Sequence, residues 1–143
     1  MIPDRNESDC AVRSLASLSK LEEFFGQKPK LAYPRLPYKT NLVTVESERD
    51  GGSVWLQFMP HEGWAQLRVA GKPFSIVKLE LLDISRISVR RKDQHLALVF
   101  SFNRALTSDL SLSLKPSIML FWGNGPHANL AGRVAFRPWR EHP

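Results

Sequence analysis

From Thr40 onward this sequence places apolar side chains on every second residue, and that period of two suits pleated strands with one face in a core. Val43 and Val45 begin the pattern, Val54, Leu56 and Phe58 repeat it, and Leu96, Leu98, Phe100 and Phe102 carry it furthest. Val77, Leu79 and Leu81 form another run. In Leu110, Leu112 and Leu114 the intervening Ser111, Ser113 and Lys115 are polar, as an antiparallel strand with one wet face requires. Turn chemistry separates the runs: Arg49-Asp50-Gly51-Gly52 as a tight hairpin, Pro60 to Gly63 before the run Trp64 to Ala70, Gly71-Lys72-Pro73 after it, and Lys92-Asp93-Gln94. Ile84 to Arg91 reads as a weaker strand with Ile87 and Val89 on one face. Ser117 to Trp122 is apolar on both faces, which predicts a central or doubly covered strand. A last run, Arg133 to Phe136, ends before Pro138.

Before Thr40 the period differs. Val12, Leu15, Leu18, Leu21, Phe24 and Phe25 lie three or four apart, the stripe of an amphipathic helix, with Ser8 or Asp9 as its cap and Gly26 as its left-handed stop. The spacing predicts a helix over residues 8–26. Pro29, Pro34 and Pro37 then make residues 27–39 an irregular connector, whose Leu31, Tyr33 and Leu36 are expected to lie along the body. With 143 residues, 43% hydrophobic and 24% charged, the composition suits a single folded domain spanning 1–143. The expected class is mainly β (α+β): an N-terminal helix packed on a curved antiparallel sheet or β-sandwich of about eight strands, with residues 40–138 as the β region.

The lone Cys10 has no partner for an internal disulfide, and the first residues lack the apolar stretch of a secretory signal. A cytoplasmic location is the expectation, and the Asn6-Glu7-Ser8 glycosylation pattern is discounted with it. Every apolar run is interrupted well before the roughly 18 residues needed to cross a bilayer, so no membrane partner is expected. A net charge of +6 favours acidic partners. Its distribution is uneven. Asp4, Glu7, Asp9, Glu22 and Glu23 outweigh Arg5, Arg13 and Lys20 at the start, whereas Lys28, Lys30, Arg35 and Lys39 stand in a stretch, 24–45, without an acid. Arg86, Arg90, Arg91 and Lys92 follow, and Arg133, Arg137 and Arg140 close the chain.

Each catalytic-looking fragment lacks its necessary second half. Gly123-Asn-Gly-Pro-His-Ala128 has the spacing of a dinucleotide loop, but too little chain follows for the second strand and the ribose-binding acid. His61-Glu62 lacks the second histidine one helical turn on that a zinc-protease site needs. His95, His127 and His142 show no ligand spacing, and Asp50, Asp83, Asp93 and Asp109 are isolated, so neither zinc nor calcium is expected. No nucleophile elbow or phosphate loop occurs, and Cys10 has an acid, Asp9, beside it rather than a base. Neither a cofactor nor an enzymatic activity is expected. Arg133, Phe136, Arg137, Trp139 and Arg140 interleave charges and rings as nucleic-acid surfaces do, which leaves a basic nucleic-acid-binding domain as the alternative to a protein-binding module.

Leu18 to Pro29, Leu-Ser-Lys-Leu-Glu-Glu-Phe-Phe-Gly-Gln-Lys-Pro, resembles the opening of the immunity protein 50 family of bacterial polymorphic-toxin systems. Val77 to Val89 resembles that family's strand, Asp-Ile-Ser turn and next strand, and Leu110 to Ile118 its closing strand. The resemblance spans 18–122. It departs at Leu31-Ala-Tyr-Pro-Arg-Leu-Pro37, where the family often has a Phe-His-Asp-like element, and it transfers no functional residue. It implies a cytoplasmic protein that neutralises a cognate toxin by stoichiometric binding, through a few aromatic or arginine anchors. Trp64, Arg86, Arg90, Arg91 and Trp139 are the candidate partner-binding residues, because their charge or ring falls beside predicted turns and strand faces. Burial as core or tail anchors is the competing expectation for Trp64 and Trp139. The positive charge favours an acidic toxin surface over a basic nuclease.

Overall fold

The computed structural model describes residues 11–49, 52–71, 76–92, 94–103, 108–115, 118–122 and 136–138. In chain order these form β1 (Ser14–Leu15), α1 (Leu18–Phe25), β2 (Lys30–Leu31), β3 (Val43–Arg49), β4 (Gly52–Met59), β5 (Trp64–Gly71), β6 (Ile76–Leu81), β7 (Ile84–Lys92), β8 (His95–Phe102), β9 (Leu110–Ser113), β10 (Met119–Trp122) and β11 (Phe136–Pro138). The fold is mainly β with one α-helix among the described residues. β3 to β10 are the eight longer strands, and β1, β2 and β11 are pairings of two or three residues at sheet margins.

The strands make two sheets. Sheet I has the order β1-β7-β8-β9-β10 and sheet II the order β11-β6-β5-β4-β3-β2. Every pairing is antiparallel except that of β1 with β7. The alternating residues of both line one core: Val43, Val45, Val54, Leu56, Phe58, Leu67 and Leu81 from sheet II meet Ile87, Leu98, Phe100, Leu110 and Leu112 from sheet I. Helix α1 adds Leu21, Phe24 and Phe25, with the two phenylalanine rings edge to face at 4.9 Å. Eight residues are too few for a helix to be stable alone, so this burial holds it, at roughly 1.5–3 kcal/mol for each fully covered side chain.

The helix is shorter than the apolar spacing predicts. Ser17, extended at φ −68° and ψ 159°, caps it by accepting from the Lys20 amide, and Gly26 ends it in the left-handed region at φ 74°. Residues 11–16 give their amides to other elements instead. Ala11 and Val12 donate to the carbonyls of His61 and Pro60, Arg13 donates to Ser85, and Ala16 donates to Ile87. Long-range pairing thus takes the backbone donors that a longer helix would use.

Strict alternation along β7 would put Ile84 and Ile87 on opposite faces, yet both are buried. The register slips between Ile84↔Phe102 and Arg86↔Ser101, so one extra residue, Ser85, resets the phase. Its carbonyl is the one that accepts from Arg13. At Gly63, φ is 65°, and a Cβ would stand 2.9 Å from that of Ala11 and 3.0 Å from the Ile84 carbonyl oxygen. A side chain there would push apart the start of β7 and the segment leading to β1.

Three further expectations change. β10 is the last strand of sheet I rather than a central one, and Met119 on it is exposed. β11 runs to Pro138, past the predicted end, which proline tolerates because β11 is the outermost strand of sheet II. In the connector, Leu31 packs on the core, but Tyr33 and Leu36 are exposed rather than laid along the body.

Tyr38, in a single 3-10 turn (Tyr38–Thr40), fastens this region to the helix start. Its hydroxyl donates to the Ala16 carbonyl at 2.8 Å, and its ring meets Phe58 edge-on. Burial pushes its phenol well above the ordinary range. The unfolded chain ionises this group near pH 10 while the folded chain keeps it neutral, so the associated stability is complete below about pH 10 and declines as pH rises further. Tyr38→Phe should cost about 1 kcal/mol in urea unfolding at pH 7 and lack this part of the alkaline decline.

Candidate partner-binding surface

The four predicted anchors among the described residues, Trp64, Arg86, Arg90 and Arg91, do not share one face. Arg86 and Arg90 point from β7 onto the outer face of sheet I, where their cross-strand neighbours are Ser101 and Ala97. The middle of that face is closed to solvent: Val99 is only 4% exposed, and the Ser88 hydroxyl opposite it is buried. The two arginines are themselves exposed. Arg91 lies near α1, 4.0 Å from the Glu23 carboxylate, with both side chains about 60% exposed. Such a surface pair contributes under about 1 kcal/mol. Trp139 lies outside the described residues, as do Arg133, Arg140, Cys10 and the Gly123 to Ala128 loop. The pairing of β11 with β6 ties the backbone of Phe136 to Pro138 to sheet II.

Trp64 belongs to a different surface. The inward phase of β3, β4 and β5 is taken by Val43, Val45, Val54, Leu56, Phe58, Ala65 and Leu67, so the intervening residues form the outer face of sheet II. Register aligns them in rows. Lys30, Thr44, Gln57, Gln66 and Glu80 form one row across β2 to β6. Glu46, Trp55, Arg68 and Lys78 form the next, and Met59 pairs with Trp64 on the other side of the first. This face carries two half-buried tryptophans among amides and charges of both signs.

Two hydrogen bonds order it. The Trp64 indole N–H donates to Glu80 Oε2 at 2.7 Å, and Gln57 Nε2 donates to Thr44 Oγ1 at 3.1 Å. Trp64 is therefore neither a core residue nor a loose one; its ring lies on the sheet with its polar edge fixed. Trp55 was not among the anticipated anchors. Its signal was available, because it stands between Val54 and Leu56 and so falls out of phase with the core.

Large aromatics and arginine, framed by groups that can make hydrogen bonds, are the components of a protein interface. The acids Glu46 and Glu80 within the face suit it poorly to a phosphate backbone. His61 and Glu62 lie in a 3-10 turn (Pro60–Glu62), and no group of acids, histidines and cysteine among the described residues is placed to hold a metal ion. No helix among them is long and apolar enough to cross a membrane.

No protein-family model and no curated protein matches the chain. Among solved structures, a chain of a contact-dependent growth inhibition toxin–immunity protein complex from Klebsiella pneumoniae 342 superposes with a TM-score of 0.62. The match covers 76% of this chain and 93% of that one at 17% identity. The two share a fold. The expected likeness to proteins of toxin–immunity systems is thus met in architecture, across nearly the whole of the solved chain.

The Trp64–Glu80 bond is directly testable. Trp64→Phe keeps most of the ring and loses the donor, and should cost about 1 kcal/mol in urea unfolding. Glu80→Gln, which keeps an acceptor, should cost less.

Proposed function

We propose that this protein is an immunity protein, which neutralises a toxin by binding it in the cytoplasm and has no catalytic activity of its own. The observation that carries this is the fold held in common with a chain of a toxin–immunity complex, over 93% of that chain. Resemblance of residues 18–122 to the immunity protein 50 family supports the inhibitor side of such a pair. The outer face of sheet II supports the same reading. Trp55 and Trp64 supply apolar area with little conformational freedom left to lose, and Thr44, Gln57, Gln66 and Arg68 supply the polar surround. Inhibition of this kind needs only that a surface cover the toxin's working parts.

Co-expression with the product of the adjacent gene, which the proposal expects to be a modular protein with a C-terminal toxin domain, tests it. The expected result is restored growth and a stoichiometric complex on purification. Continued killing despite soluble expression of this protein overturns it, and growth arrest by this protein alone assigns it to the toxin side.

A further inference from the structure

The connector between β2 and the 3-10 turn is held in one shape by a buried side chain. Asn41 is fully buried, and every polar atom of its amide is used inward. Its Oδ1 accepts from the Tyr33 and Leu42 amides, both at 3.0 Å, and its Nδ2 donates to the carbonyls of Tyr33 at 2.7 Å and Leu36 at 3.1 Å. The Leu36 amide donates back to the Tyr33 carbonyl at 2.9 Å. This closes a β-turn with Pro34 at its second position, where proline's fixed φ is favoured. Pro37 follows, and its carbonyl accepts from Thr40 Oγ1.

The turn brings the Cα atoms of Tyr33 and Leu36 within about 7 Å of each other. Both side chains are nonetheless turned to solvent, Tyr33 at 53% and Leu36 at 45% exposed, with exposed Arg35 between them. A flexible loop would fold such groups against the body to remove them from water. Here the Asn41 bonds and two prolines prevent it. The order that a binding loop normally loses entropy to acquire is already present. The charges that the segment itself carries share one sign: Lys28, Lys30, Arg35 and Lys39 are exposed, and the sequence has no acid between residues 24 and 45. Through Lys30, which pairs with Thr44, the loop adjoins the edge of the outer face of sheet II.

We infer that the Tyr33–Leu36 turn is a preformed anchor that inserts Tyr33 and Leu36 into an apolar hollow on an acidic face of a protein partner, with Arg35 and Lys30 meeting the surrounding carboxylates. The inference rests on the immunity reading in taking the toxin as that partner. The uniform charge specifies an acidic rim, and the paired aromatic and aliphatic side chains specify an apolar centre.

Titration calorimetry and association kinetics with the neighbouring toxin domain test it, using full-length protein whose folding is checked by circular dichroism. Tyr33→Ala and Leu36→Ala should each weaken binding about tenfold or more. Arg35→Glu should slow association severalfold and flatten its dependence on salt. Lys115→Glu, beyond β9 on sheet I, should change neither. Asn41→Ala should weaken binding with Tyr33 and Leu36 intact; Tyr33→Ala and Leu36→Ala, at exposed positions, keep the test decisive if Asn41→Ala does not fold. Equal binding by wild type and by the Tyr33 and Leu36 variants overturns this anchor and leaves the immunity reading standing. No binding by the wild type overturns both. Tight binding of a single-stranded oligonucleotide that Tyr33→Ala abolishes overturns the protein-partner assignment.

Discussion

Leu81 and Ile84 are both fully buried, yet they belong to different sheets with only Leu82 and Asp83 between them. Passing from one sheet to the other in so few residues is the constraint on which the rest of the architecture turns. Asp83 adopts a left-handed backbone at φ 59°, unusual for a residue with a side chain. The corner is held from both sides, for the Asp83 carbonyl accepts from Asn103 and the Ile84 amide donates to Gly63. Once the chain has turned there, the extra residue at Ser85 restores Ile87 to the core. Its carbonyl also receives the strand-like segment that precedes α1. The corner, the bulge and the short helix are thus successive consequences of one change of sheet.

That dependence explains what could be read from the residues and what could not. The period of two between Val43 and Leu114 reports the side of the sheet each residue occupies, so the inner residues of β3, β4, β8 and β9 were legible. Periodicity carries no information about neighbours. Met119 to Trp122 looks like a central strand because it is apolar throughout, but its place at the end of sheet I is set by pairing alone. The helix start was lost for a related reason: Val12 and Leu15 have helical spacing and are covered, but by strand-like contacts of the backbone with β7 and the 3-10 turn. Tyr33 and Leu36 were expected to be covered because apolar groups usually are. What keeps them outward is Asn41, a polar residue just past the connector, and nothing in the local pattern announces its four bonds.

The candidate site shows the same division. Trp64 could be singled out by its place beside a turn, and Trp55 by its phase, but only register reveals that both lie on one face with Arg68 and Gln66. Arg86 and Arg90 share a phase with each other, which sequence also reveals. That they lie on the other sheet, beside a face whose centre at Val99 is closed, follows from the corner at Asp83.

A net charge of +6 would attract nucleic acid and acidic protein alike, so overall charge does not choose between them. Arrangement does. On sheet II the acids Glu46 and Glu80 stand among the tryptophans, whereas at the β2 edge the charges are Lys28, Lys30, Arg35 and Lys39. A phosphate backbone is negative along its whole length and would meet repulsion on passing from the loop onto the sheet. A folded protein can present an acidic rim to the loop and basic or amide groups to the sheet. Separation of charge by position therefore favours a partner with a patterned surface, and it orients that partner before the apolar anchors engage.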